Sequence, residues 1–143
     1  MTGNFQQQRK LWRNPHISVS GRVSVPVPAE HVVAFLWDLG SLARYEPKVD
    51  AVKVRPVTEK TGTYAAQGRF AGLPWGGRFS YALNPHGFHS EMIRGPRGMR
   101  VQGGFVVKSE GADVCLITHY ERYQFPRWLF PLMLRFGPIF SGQ

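Results

Sequence analysis

At 143 residues the chain is sized for one domain. A chain of that length buries about two-thirds of the surface its unfolded form exposes, so it needs no disulfide or metal staples. Hydrophobic residues make up 43% and charged residues 19%, which excludes a disordered or fibrous chain. Eighteen Lys and Arg against nine Asp and Glu give a net charge of +9 and a pI near 10.3. That field favours polyanions without choosing among nucleic acid, anionic lipid headgroups and acidic carrier proteins.

Residues 1–15 read as a flexible basic segment carrying Arg9, Lys10 and Arg13, with residues 16–143 forming the domain. No apolar stretch follows those charges, as a secretory signal would require, and nothing approaches the roughly 18 apolar residues of a membrane span. A cytoplasmic protein, peripheral to a membrane at most, is the expectation.

From His16 to Val25 the residues alternate, with Ile17, Val19, Gly21, Val23 and Val25 on one face, which predicts a half-buried strand. Pro26 and Pro28 end it. Val32, Phe35, Leu36 and Leu39 then fall at helical spacing. Pro28 suits the first helical turn, Glu30 complements the helix dipole, and Gly40 marks the stop. A short second helical turn through Leu42 and Ala43 precedes Pro47.

Six more strands follow, over about 49–57, 62–71, 75–83, 88–94, 99–108 and 114–123, joined by turn residues such as Asn84-Pro85-His86-Gly87. Short connections imply an antiparallel meander. The single cysteine, Cys115, lies in an apolar run and reads as a small core residue. The tail from Phe125 to Phe140 is rich in large apolar groups and cut by Pro126, Pro131 and Pro138, so it predicts a helix of a few turns over 128–136 rather than a long one.

Recognised catalytic signatures are missing. There is no G-x-S-x-G, phosphate-binding loop or dinucleotide fingerprint, and the five histidines lack H-x-x-x-H or H-E-x-x-H spacing. No cofactor and no metal site are expected. The basic run Arg94, Arg97, Arg100 and Lys108 contains no acid and reads as a solvated face or a docking surface for an anionic partner. No recognition helix or aromatic platform accompanies it, so nucleic acid is not an expected partner.

The stretch Val23-Ser24-Val25-Pro26-Val27-Pro28-Ala29-Glu30, then Val32, Val33, Phe35, Leu36, Asp38 and Leu39, then Leu42, Tyr45, Pro47 and Val49, resembles the START/Bet v 1-like (SRPBCC) superfamily. Within it, the likeness is to the bacterial polyketide cyclase/dehydrase and lipid-transport group, over about residues 17–136. The resemblance implies an α+β helix-grip fold: a curved antiparallel sheet of about seven strands around a C-terminal helix, with two short N-terminal helices and an apolar hollow. Function is left open, because cyclases, lipid carriers and ligand sensors share this scaffold. Family members usually close the hollow with a long C-terminal helix. The proline-cut tail here implies a hollow that is unusually open, or one completed by a partner, a lipid surface or a second copy.

On that fold, alternation turns Phe79, Tyr81 and Phe105 inward, with Phe35 and Trp128 opposite and Tyr45 at the rim, as ligand-binding candidates. If the protein is an enzyme, Tyr45, Arg69 and His119 are the catalytic candidates, with Glu121 beside them. His119 could move protons near neutral pH, and Arg69 or Tyr45 could stabilise an enolate oxygen. Alternation sets Arg69 against Phe70 and His119 against Tyr120 without saying which of each pair points inward. The expected function is binding of a hydrophobic small molecule (lipid, quinone or polyketide-like), with an anionic membrane surface or an acidic carrier protein as a further partner and a homodimer as one assembly. Arg127 and Arg135, flanking Trp128, Phe130 and Phe136, suit an interfacial segment. The alternative is a polyketide aromatase/cyclase or dehydratase acting on a carrier-bound chain. An interaction module that completes its fold through the tail is the third reading.

Overall fold

In the computed structural model, residues 16–70 and 72–126 are described; the N-terminal basic segment and the tail helix predicted over 128–136 lie outside them. The alternating run at the start forms β1 (His16–Val25), and the helical stripe forms α1 (Ala29–Trp37). A 3-10 turn (Leu39–Ser41) leads into a one-turn α2 (Leu42–Tyr45). Six strands follow: β2 (Ala51–Pro56), β3 (Thr61–Phe70), β4 (Leu73–Asn84), β5 (Gly87–Arg94), β6 (Arg100–Ser109) and β7 (Cys115–Gln124). They make one antiparallel sheet in the order β1-β7-β6-β5-β4-β3-β2. The first strand thus returns beside the last, and the rest is a meander, as the short turns imply.

Two helix boundaries differ from the sequence pattern. Pro28 is not the first helical residue but the N-cap, with extended backbone (φ −57°, ψ 140°), and its carbonyl accepts from the His31 N–H at 3.1 Å. The stripe does not run on to Gly40 either. Asp38 leaves helical geometry (φ −82°, ψ 83°), its N–H bonding back to the Phe35 carbonyl at 3.2 Å, and Leu39 is buried from the 3-10 turn instead. Leu36, Leu39 and Leu42 consequently dock on the sheet while Phe35, at 48% exposure, turns away from the core. Similarly, β2 begins at Ala51 rather than at 49, because the Val49 N–H is held in a turn by the Glu46 carbonyl.

The core sits between these helices and the concave face of β3 to β6. Tyr64 and Phe79 pair across adjacent strands and stack at 5.0 Å, with Tyr81 beside them. Burial pushes the Tyr64 phenol up to about 12. Cys115 is fully buried, in keeping with a packing role. Trp37 ties the end of α1 to the β4–β5 turn by donating its indole N–H to the carbonyls of Asn84 and Gly87, each at 3.0 Å. On the convex face His89 and Tyr120 stack and hydrogen-bond at 2.8 Å across Gly104. A Cβ at Gly104 would lie 2.1 Å from the Phe88 carbonyl, so only glycine admits this close approach.

Candidate functional site

Strand β7 faces two environments. The register sets His119 opposite Phe105, Glu121 opposite Gly103 and Tyr123 opposite Val101, so these three side chains share the concave face with Cys115 and Ile117. Across the other edge they meet Gly21, Val19 and Ile17 of β1. Gly21 and Gly103 contribute no side chain, and the bend leaves a hollow of about 480 Å³. Ile17, Val19, Phe70, Phe105 and Phe125 give it apolar walls. Tyr45, Glu46, Lys48, His119, Glu121 and Tyr123 give it one polar end.

The α2–β2 connection delivers the charge. Lys48 Nζ donates to Glu121 Oε2 at 2.6 Å and to the Tyr123 hydroxyl, and that hydroxyl donates to the same carboxylate oxygen. The ammonium also lies 3.7 Å from Glu46 Oε1 and 5.0 Å from the centre of the Tyr123 ring. Its backbone is seated twice. The Trp75 indole donates to the Lys48 carbonyl at 2.9 Å, and a Cβ at Gly68 would fall 1.9 Å from that same oxygen.

His119 completes the cluster. Its Nε2 lies 3.3 Å from Glu121 Oε1, and its ring stacks on Phe105 at 4.3 Å and 8°. Burial works against the charged form of Glu121, but the His119 hydrogen bond and the Lys48 charge outweigh it and hold the carboxyl below its ordinary range. Tyr45 behaves oppositely. Burial first, and the neighbouring Glu46 second, push its phenol far above the usual value, so it stays protonated and able to donate. Its hydroxyl and Glu46 Oε1 are buried without a hydrogen-bond partner.

Of the residues singled out in the sequence, Tyr45, Phe105, His119 and Glu121 line the hollow. Phe79 and Tyr81 face inward as alternation predicts but are packed in the core rather than along the hollow's wall. Phe35 lies against Tyr45, with ring centres 5.7 Å apart, outside the lining. Arg69 is exposed on the opposite face of β3, and Phe70 takes the inward place. Trp128 lies outside the described residues. Glu46, Lys48 and Tyr123 were missed. Tyr123 shares the parity of His119 and Glu121 and was within reach of alternation, whereas Glu46 and Lys48 sit in a turn with no periodicity.

Histidine spacing points to no metal site, yet the fold brings ligand atoms of Glu46, His119 and Glu121 within 4.8 Å of one another. The Lys48 ammonium already stands against both carboxylates, so an internal cation neutralises part of this donor set. A second, more open groove of about 720 Å³ lies between α1 and the C-terminal half of β6, with Val33, Trp37 and Val106 along it. Among the described residues no helix is long and apolar enough to cross a membrane.

No protein-family model matches this sequence, and no curated protein matches it either. Solved structures do. The Zhui aromatase/cyclase from Streptomyces sp. R1128 superposes with a TM-score of 0.74 at 13% identity, over 90% of this chain and 87% of that one. A START superfamily protein from Mycobacterium smegmatis superposes at 0.66 with 13% identity, over 85% and 90%. The fold is START/Bet v 1-like. Norcoclaurine synthase from Thalictrum flavum shares this START/Bet v 1-like architecture at a TM-score of 0.64 and 15% identity, over 90% of this chain and 82% of its own. At such identities the likeness is one of fold, and function rests on the site.

Proposed function

We propose that the protein binds a mainly apolar small molecule in the hollow, with the molecule's polar end against Tyr45, Glu46, Lys48 and His119. The observation that carries this reading is the division of the lining into apolar walls and one polar end. Ligand sites of this kind take orientation from a few polar groups and affinity from apolar area. The net charge of +9 suits delivery of such a molecule beside an anionic membrane surface or an acidic carrier protein. Native mass spectrometry of freshly purified protein tests the reading. A retained ligand of mainly apolar character supports it; protein that stays bare and takes up no apolar probe refutes it.

A second reading is favoured by the His119–Glu121–Lys48 contacts: proton transfer on a carbonyl compound, as an aromatase/cyclase or dehydratase of a carrier-bound chain requires. Tyr45 would donate to the carbonyl oxygen as charge develops there, and His119, turned by Glu121, would move the proton. Solved neighbours include an aromatase/cyclase and a synthase, which agrees with such chemistry on this scaffold. Arg69, on the outer face, has no part in it. Cyclisation assays on Tyr45→Phe and His119→Ala test it, and unchanged product profiles from both would remove this mechanism.

A further inference from the structure

The polar end of the hollow is not electrically balanced. Two carboxylates, Glu46 and Glu121, share a single ammonium, which lies 2.6 Å from Glu121 and 3.7 Å from Glu46, while the His119 ring also stands against Glu121. Glu46 is only 8% exposed, and its Oε1 has no hydrogen-bond partner. A buried acceptor left in that condition is costly, and more so when charged. A neutral guest leaves the surplus negative charge in place, and an anionic guest adds to it. A singly charged cation removes it.

The surroundings suit a cation of one kind. Tyr45 and Phe105 meet edge to face at 5.9 Å, a corner whose ring faces attract positive charge. Away from the polar end the walls are apolar, with Ile17, Val19, Phe70 and Phe125 along them. A compact hydrated metal ion gains little there, because Lys48 already occupies the space between the carboxylates. The lone phenol of Tyr45, with no partner of its own, can accept from an N–H as readily as it donates.

We infer that the hollow selects a protonated amine carried on an aromatic or aliphatic body, with the amine bound by Glu46 and the body by the apolar walls. This specificity rests on the hollow being a ligand site at all. It also runs against the protein's overall field: nine acids serve a chain of eighteen bases, and two of them are gathered here.

Three probes of one shape separate the possibilities by titration calorimetry at neutral pH: naphthylethylamine, naphthylethanol and naphthylacetate. The amine should bind about tenfold tighter than the alcohol, the worth of one charge-assisted hydrogen bond, and the acetate should bind most weakly. Glu46→Gln should remove the amine's advantage over the alcohol, with circular dichroism checking that the variant folds. Should that variant fail to fold, the order of affinities on the unaltered protein decides alone. An amine no tighter than the alcohol overturns the inference while the hollow stands as a ligand site. If none of the three binds, the ligand-site reading falls and the inference with it.

Discussion

Lys48 and Glu121, 73 positions apart in the chain, meet at 2.6 Å inside the hollow. The contact joins the turn after α2 to the last strand and draws the Tyr123 hydroxyl into the same carboxylate. It is both a structural tie and the origin of the site's charge pattern.

Lys48→Met should therefore destabilise the protein by about 3 kcal/mol at neutral pH, because Glu121 is left as a shielded charge without its cation. The sign of the pH dependence follows from the depressed Glu121 carboxyl. Its contribution is fully present above the ordinary carboxylate value and is lost as pH falls through the lower value of the folded state. Thermal unfolding followed from neutral pH into acid should show a slope in the native protein that Glu121→Gln flattens. A slope unchanged by that substitution would place the acid sensitivity elsewhere.

Arg69 and His119 should part company. Arg69→Ala, altering an exposed outer-face side chain, should leave stability within about 0.5 kcal/mol and naphthylethanol affinity unchanged. His119→Ala removes the ring stacked on Phe105 and should weaken the same probe severalfold. Calorimetry on the two variants checks both.

The aromatic core should carry far more stability than the exposed helix face. Phe79→Ala, which takes one ring from the Tyr64 stack, should cost about 3–5 kcal/mol in urea unfolding. Phe35→Ala, at a half-exposed position, should cost less than about 1 kcal/mol.

Two glycines offer a matched comparison. Gly104→Ala drives a methyl toward the Phe88 carbonyl and should destabilise by about 2 kcal/mol. Gly21→Ala meets nothing within 4 Å and should be close to neutral. Denaturant midpoints measured side by side decide the pair.

Most of the sheet was legible because alternation and turn chemistry are local. Ile17, Val19, Phe79, Tyr81 and Phe105 lie on the face their parity assigned. Parity gives two faces but not their identity. That choice, between Arg69 and Phe70 or between His119 and Tyr120, is made by strand pairing and by where the helices pack. The stripe through Phe35 misled because Asp38 ends α1 before the full helical face can close on the sheet. Glu46 and Lys48 were illegible for a different reason. Their meaning depends on a strand some seventy residues later, and no periodicity in a five-residue turn announces it.

The seat of Lys48 carries one last implication. Gly68 and Trp75, on strands that add little polar chemistry of their own, fix the backbone from which the ammonium hangs. Placement of the cation is thus delegated to β4 and β3, three and four strands along the open sheet from β7. A single methyl at residue 68 would act as a remote adjuster, shifting the electrostatic centre while leaving every group that touches the guest chemically intact.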